Sequence, residues 1–317
     1  MSLLSRRAAV CWSTLALILA ACSGPSHRTP SAGPSAPPVV TPPAVTTSPA
    51  GTASPTPPAP GASRPRIVVV VEENHPFDDI IGSPEAPTIN RLAREGTLLT
   101  SYHAITHPSL PNYLAMLAGT TGGVRNDCTA CSLSAPNLVD QLESAGISWA
   151  AYFPGLPGTC STVAKAGEYA KKHNPFLYFP SVRDDPSRCS HVVPFDGFAT
   201  DAAAGRLPRF VFISPDLEHD MHDGSVRTAD RWLTSLYDQL RRSPAWREDT
   251  RLVVVFDEGR RGDNHVTAVV AGPQVPSQTD SAPYTHYSLL RSIEAAFGLP
   301  YLDHAAEATP IPALAHR

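Results

Sequence analysis

Two strongly apolar segments of this chain run directly into carboxylates. The segment RIVVVVEEN ends in Glu72, Glu73 and Asn74, and RLVVVFDEG ends in Asp257 and Glu258. If both segments are neighbouring strands, these side chains meet at one edge of a sheet, where α/β enzymes bind their ligands. Crowded carboxylates repel one another, and a divalent cation relieves that repulsion. Oxygen donors favour Ca²⁺ or Mg²⁺, with Zn²⁺ as an alternative. Each segment alone also fits a solvated strand end.

A serine lies between these segments, in THPSLPNYLAMLAG. Ser109 comes just before a predicted helix that begins at Pro111 or Asn112. The N-terminus of a helix offers free N–H groups and a positive dipole, which suit a phosphoryl oxyanion. Ser109 is either the N-cap of that helix or a nucleophile whose hydroxyl pKa is lowered by a metal.

Three further stretches carry histidines and acids. ISPDLEHDMHDGS follows an apolar strand and contains Asp220, His222 and Asp223. Its position after a strand favours a functional site over a solvated acidic loop. His173 in KKHNPFLYF and His265 in GDNHV are each either functional or structural.

Strand and helix patterns alternate along the chain from residue 65 onward. Continuous apolar strands separated by helices predict an α/β fold, with a mostly parallel central sheet and helices on both faces. The predicted strands are Ile67–Val71, Ser148–Phe153, Arg209–Ser214, Arg251–Gly259 and Thr267–Pro273. The predicted helices are Ala86–Gly96, Pro111–Gly119, Pro136–Gly146, Arg227–Ser243 and His286–Pro300.

The first 64 residues have a different composition. Residues 1–21 have an arginine pair and then a short apolar run, the layout of a secretory signal. The run ends in LAAC, which resembles a bacterial lipobox and implies lipid on Cys22. The whole chain has 34 prolines, and many of them lie in residues 22–64. This composition predicts that residues 22–64 form an extended disordered spacer. We therefore expect residues 65–317 to form an exported catalytic domain, anchored to the outer face of the cell membrane or shed from it.

Two bulk properties limit the other functions. The formal net charge of −4 gives no basic footprint for nucleic acid. Of the six cysteines, four remain beyond the signal and the lipobox, an even number that suggests two disulfides in an exported chain. Three pairings are open for Cys128, Cys131, Cys160 and Cys189. A redox or metal role for the CTAC motif is the alternative.

Six motifs together resemble a known family. They are EENHPFDDIIG, THPSLPNYLAMLAG, KKHNPFLYF, SPDLEHDMHDGS, VFDEGRRGDNHV and THYSLLRSIEAAFGLP, in that order. This order is similar to that of the phosphoesterase family of acid phosphatases and phospholipases C, which belongs to the alkaline phosphatase superfamily. The resemblance spans nearly all of 66–302 and implies an alkaline-phosphatase-like fold.

The resemblance also implies roles for the matching positions. Ser109 is expected to be both nucleophile and metal ligand, Asn112 to contact phosphate, and His173 or His222 to transfer protons. The expected metal ligands are Glu73, Asn74, Ser109, Asp257 and Glu258, with Asp220, Asp223 and His265 as further candidates.

The expected activity is metal-dependent hydrolysis of phosphate monoesters through a phosphoserine. Phosphoinositides and other phospholipids are among the candidate substrates. Two alternatives stay open: a phosphodiesterase of the phospholipase C type, and a non-catalytic surface-binding lipoprotein.

Overall fold

The computed structural model describes residues 64–247, 249–260 and 262–315. The predicted signal peptide, the predicted lipidation site Cys22 and nearly all of the predicted spacer lie outside these ranges. Within them, no helix is both long and apolar enough to cross a membrane.

Strands and helices alternate through most of the described chain. The strands are β1 (Arg66–Glu72), β2 (Thr97–Leu99), β3 (Tyr102–His103), β4 (Trp149–Phe153), β5 (Lys165–Ala166), β6 (Tyr169–Ala170), β7 (Val192–Pro194), β8 (Phe210–Ile213), β9 (Thr250–Phe256), β10 (Ala268–Ala271), β11 (Gln278–Asp280) and β12 (Tyr284–Thr285). The α-helices are α1 (Phe77–Ile80), α2 (Pro87–Glu95), α3 (Ser109–Ala118), α4 (Leu138–Ser144), α5 (Pro180–Arg183), α6 (Pro186–Cys189), α7 (Asp196–Ala203), α8 (Val226–Arg242) and α9 (His286–Phe297). A 3₁₀ helix, Lys171–His173, also borders the site described below.

An eight-stranded sheet forms the core, in the order β11-β2-β10-β9-β1-β8-β4-β7. Strands β9, β1, β8, β4 and β7 run parallel, whereas β10 is antiparallel to both β9 and β2. Every residue of β1 and β9 is buried, as expected for central strands covered on both faces. The expected α/β fold with a mostly parallel sheet and flanking helices is confirmed.

Helix α3 begins at Ser109, two residues before the earlier of its predicted starts. Its N-cap is Pro108, so Ser109 is not the N-cap. The early start is stabilised from a distant loop, because Asp127 Oδ1 accepts a hydrogen bond from Leu110 N at 3.0 Å. The helix ends as predicted at Gly119, whose φ of 69° is left-handed and favours glycine.

Both expected disulfides are present. Cys128 is bonded to Cys131, and Cys160 is bonded to Cys189. This settles which of the three open pairings the chain adopts and makes CTAC a disulfide in this structure.

Candidate functional site

Three carboxylates gather where β1 and β9 end. The two strands are parallel neighbours in register, so Glu73 and the pair Asp257 and Glu258 follow them at one sheet edge. Ser109, at the start of α3, lies against this group: its Oγ is 3.0 Å from Glu73 Oε2 and 3.2 Å from Glu258 Oε1. The three carboxylates are 0% to 5% exposed. We call Glu73, Asp257 and Glu258 the carboxylate wall.

Two side chains besides Ser109 hold Glu73, and Asp220 contacts one of them. The Tyr113 hydroxyl donates a hydrogen bond to Glu73 Oε1 at 2.8 Å. His173 Nε2 lies 3.0 Å from the same oxygen, and its Nδ1 lies 3.0 Å from Asp220 Oδ2. Both contacts have ion-pair distances, but His173 Nε2 lacks hydrogen-bond geometry. Burial lowers the pKa of His173, yet the negative charges of Glu73 and Asp220 beside the ring outweigh burial and raise it to about 9. His173 therefore orients Glu73.

The two carboxylate oxygens of Asp257 differ in their hydrogen bonds. Its Oδ1 accepts hydrogen bonds from the backbone N–H groups of Asn74 at 3.2 Å and Glu258 at 2.6 Å. The φ of 62° at Asn74 is left-handed. Among the described residues, Asp257 Oδ2 is buried with no hydrogen-bond partner. Burial, followed by the charges of Glu73 and Glu258, raises the pKa of Asp257 well above its ordinary value.

A second group of side chains comes from three loops. Asp127 accepts from Leu110 N through Oδ1 and from Lys172 Nζ through Oδ2, at 3.3 Å. Lys172 Nζ also lies 3.2 Å from His222 Nε2. Because an ammonium only donates, His222 Nε2 accepts this bond, and Nδ1 donates to Asp223 Oδ1 at 2.6 Å. We call Asp127, Lys172 and His222 the loop wall.

Two of the predicted site residues have other contacts. Asn112 Oδ1 accepts from the backbone N–H groups of Ile105 and Thr106, and its Nδ2 donates to the Thr106 carbonyl. Its amide therefore fixes the loop before Ser109, which differs from the expected contact with phosphate. His265 Nε2 lies 3.0 Å from the Thr100 carbonyl, and its ring stacks on neighbouring aromatic side chains.

Four site residues were not singled out from the sequence. Tyr113 lies four positions after Ser109, so helical spacing places it on the same face and could have identified it. His107, two residues before Ser109, contacts Glu258 through Nδ1, and its side chain is 43% exposed. Lys172 and Asp127 gave no signal, because their pairing depends on tertiary structure alone.

The donors at the carboxylate wall suit a divalent metal in chemical type. In the described part of the chain, no three His, Cys, Asp or Glu side chains form a group that could hold an ion by themselves. Asn74 and Ser109 are the further oxygen donors that the family resemblance implied. The buried Asp257 Oδ2, which has no hydrogen-bond partner among the described residues, fits a hard cation.

Comparison with known proteins decides the family. Residues 83–280 match the Phosphoesterase family. The chain belongs to this family. A phosphatidylinositol-3-phosphatase of Mycobacterium tuberculosis is 38% identical over 249 residues, which cover 77% of this chain and 81% of that protein. A probable acid phosphatase of Kluyveromyces lactis is 31% identical over 271 residues, covering 81% of this chain and 64% of that protein.

A solved structure supports the fold. The crystal structure of a protein in the alkaline phosphatase superfamily from Vibrio parahaemolyticus matches with a TM-score of 0.54, covering 80% of this chain and 69% of that one. At 16% identity this likeness shows the fold alone. The expected alkaline-phosphatase-like fold and a phosphatase-type hydrolase are thereby confirmed. Relatives named phospholipase C are less similar, at 25% to 28% identity.

Proposed function

We propose that this phosphoesterase hydrolyses phosphate monoesters, through a phosphoserine formed on Ser109. The observation that carries the proposal is the position of Ser109 Oγ between Glu73 Oε2 and Glu258 Oε1, at the first residue of a helix. The similarity to acid phosphatases and a phosphatidylinositol-3-phosphatase favours monoesters, with phosphoinositides as one substrate class.

In the first half of the reaction, Ser109 Oγ attacks phosphorus in line with the leaving alcohol. The hydroxyl proton moves to one of the two carboxylates that Ser109 contacts. A divalent cation bound by the carboxylate wall with Asn74 and Ser109 would lower the pKa of the serine hydroxyl and offset the charge of the wall. Tyr113 and His173 keep Glu73 in place while Oγ moves.

Proton transfer to the leaving alcohol falls to His222 rather than His173. The His173 side chain is 3% exposed and both its nitrogens face carboxylates. The His222 side chain is 28% exposed, and Asp223 holds its Nδ1. In its doubly protonated form, His222 gives the Nε2 proton to the departing oxygen and becomes the neutral imidazole whose Nε2 accepts from Lys172. Nε2 then takes a proton from the water that attacks the phosphoserine, which restores the imidazolium, and the carboxylate returns its proton to Ser109 Oγ.

The test is hydrolysis of p-nitrophenyl phosphate by the full-length chain, with and without chelator. We expect Ser109→Ala to lower kcat by at least about a thousandfold, since the nucleophile is lost. Ser144→Ala, an exposed serine on α4, is the matched control and should keep full activity.

Each result has a definite reading. Full activity in Ser109→Ala would remove Ser109 as the nucleophile, and full activity in chelator would remove the metal. Activity on bis-p-nitrophenyl phosphate alone would replace the monoesterase by a phosphodiesterase. The location at the outer face of the membrane and the lipid on Cys22 remain predictions.

A further inference from the structure

A phosphate monoester carries close to two negative charges near neutral pH, and it would bind beside three carboxylates. The two anion-binding groups expected from the sequence, the start of α3 and the Asn112 side chain, are engaged at least in part by other contacts. The backbone N–H of Leu110, the second residue of α3, already donates a hydrogen bond to Asp127. The next residue, Pro111, has no backbone N–H. The Asn112 amide is engaged by backbone groups. A cationic side chain near Ser109 would add to the positive charge that a bound divalent cation supplies.

Lys172 is placed to do so. Its Nζ lies between Asp127 Oδ2 at 3.3 Å and His222 Nε2 at 3.2 Å. Through Asp127 it is linked to the N-terminus of the helix that begins with Ser109. The next residue in the chain, His173, contacts Glu73 of the carboxylate wall. Lys172 therefore joins the nucleophile's helix to the proton-transferring histidine.

The charge of Lys172 is well protected. Burial lowers its pKa, but the charges on Glu73, Asp127 and Asp257 outweigh burial and raise the pKa above its ordinary value. The same charges show that the ammonium lies in the field of the carboxylate wall. An ammonium has three hydrogens, and the two contacts above use only two of them. Its side chain is 20% exposed, so solvent and substrate can reach it.

The neighbouring residue, Lys171, has a structural role and differs in this from Lys172. Lys171 Nζ donates to the Thr129 carbonyl at 2.9 Å and lies 4.8 Å from the centre of the Tyr178 ring. Lys171 is 5% exposed. It holds the loop that contains the Cys128–Cys131 disulfide, whereas Lys172 keeps donor capacity at the site.

We propose that Lys172 binds the phosphoryl oxygens of the substrate and makes the site prefer dianionic monoesters to monoanionic diesters. This rests on the proposed function of Ser109. The Coulomb energy of a cation with a dianion is about twice that with a monoanion at equal distance. Loss of Lys172 should therefore weaken monoester recognition more than diester recognition.

The experiment compares Lys172→Met with Lys165→Met, which removes an exposed lysine on β5. We measure kcat/KM for p-nitrophenyl phosphate and for its bis ester, and the inhibition constant of inorganic phosphate. A charge-assisted hydrogen bond accounts for about a tenfold to hundredfold effect, so kcat/KM for the monoester should fall by that factor. The phosphate inhibition constant should rise similarly, and the ratio of monoester to diester activity should fall.

A merely structural role gives different results. Equal losses on both esters, or an unchanged inhibition constant, would overturn the proposal. Lys172→Arg should restore most of the monoester preference. If Lys172→Met lowers the melting temperature, Lys172→Gln gives the same comparison, because it keeps a donor towards Asp127 without the charge.

The two proposals also fail separately. A wild-type chain with no monoesterase activity would contradict the proposed function. Calorimetric binding of inorganic phosphate to the wild type and to Lys172→Met would still test Lys172. Equal affinity in the two proteins would then exclude it as a phosphate-binding residue.

Discussion

The carboxylate wall contacts Ser109, the loop wall contacts the next residue, Leu110, and the two walls are built in different ways. The carboxylate wall follows two central strands whose register fixes where Glu73, Asp257 and Glu258 lie. The loop wall comes from segments about 45 to 95 residues apart in sequence, held together by Asp127, Lys172 and His222. The first wall is buried at 0% to 5% exposure, whereas the Lys172 and His222 side chains are 20% and 28% exposed.

This difference separates two tasks of one site. Buried carboxylates with little compensation are costly, so they are placed on the most rigid part of the fold. Side chains that meet the substrate and exchange protons need access, so they are placed on loops. Perturbing the carboxylate wall should therefore abolish catalysis, whereas perturbing Asp127 or Lys172 of the loop wall should alter substrate affinity and selectivity.

The largest effect is expected at the carboxylate wall. Glu73→Gln keeps the shape of the side chain but removes its negative charge. The carboxylate that pairs with His173 and accepts hydrogen bonds from Ser109 and Tyr113 is thereby lost. We expect kcat/KM for p-nitrophenyl phosphate to fall at least about a hundredfold. Loss of a residue that only orients a metal ligand already lowers activity about tenfold to a hundredfold. Circular dichroism should confirm an unchanged fold. A loss below tenfold would contradict the assigned role of Glu73.

The two walls also differ in how far the sequence predicts them. Apolar runs that end in acidic residues can be recognised in a sequence, because buried strands have a regular hydrophobic pattern and a limited length. The meeting of these strand-end acids at one edge of the sheet was therefore expected from the sequence, and the family resemblance added Ser109 to the site. The choice between Glu72 and Glu73 needed the family resemblance, and the structure places Glu73 at Ser109.

The loop wall shows what the sequence did not reveal. His222 was identified from its DMHD segment, but Lys172 and Asp127 were not. The residue that satisfies Leu110 N lies 17 positions away, which is also why the start of α3 was predicted two residues late. Contacts of this kind have no periodicity, and they arise only when the loops meet in the folded chain.

The two disulfides give an intermediate test of the comparison. Cys128 directly follows Asp127, so the Cys128→Ser/Cys131→Ser variant should loosen the loop wall. We expect kcat/KM to fall about threefold to tenfold, mostly through KM, which corresponds to about 1 kcal/mol. Steady-state kinetics on p-nitrophenyl phosphate will separate KM from kcat.

The matched control is Cys160→Ser/Cys189→Ser, which removes a disulfide between residues 29 positions apart in sequence. The Cys128–Cys131 disulfide joins residues only 3 positions apart. Loop-closure entropy predicts a loss of about 3–4 kcal/mol in unfolding free energy for the long loop and about 2 kcal/mol for the short one. Urea unfolding measures both. If the long-loop variant raises KM as much as the short-loop variant does, the disulfide at Asp127 has no special part in positioning the loop wall.

The smallest effect is expected at Glu72, next to the most sensitive residue. Successive residues of an extended chain point to opposite faces, so Glu72 points away from Ser109. In the part of the chain that the structure describes, both of its carboxyl oxygens are buried without a hydrogen-bond partner. Burial, followed by the charges of Asp220 and Asp230, raises the pKa of Glu72 well above its ordinary value. The raised pKa favours the protonated, uncharged form of Glu72.

Glu72→Gln keeps the shape of the side chain and removes only its ability to carry a charge. We expect kcat/KM to stay within about twofold of the wild type, and the unfolding free energy to change by about 1 kcal/mol or less, as for other volume-conserving changes in a core. The same assay and urea unfolding as above provide the measurement. A loss as large as that of Glu73→Gln would place the charge of Glu72 in the site and extend the carboxylate wall to the other face of the sheet.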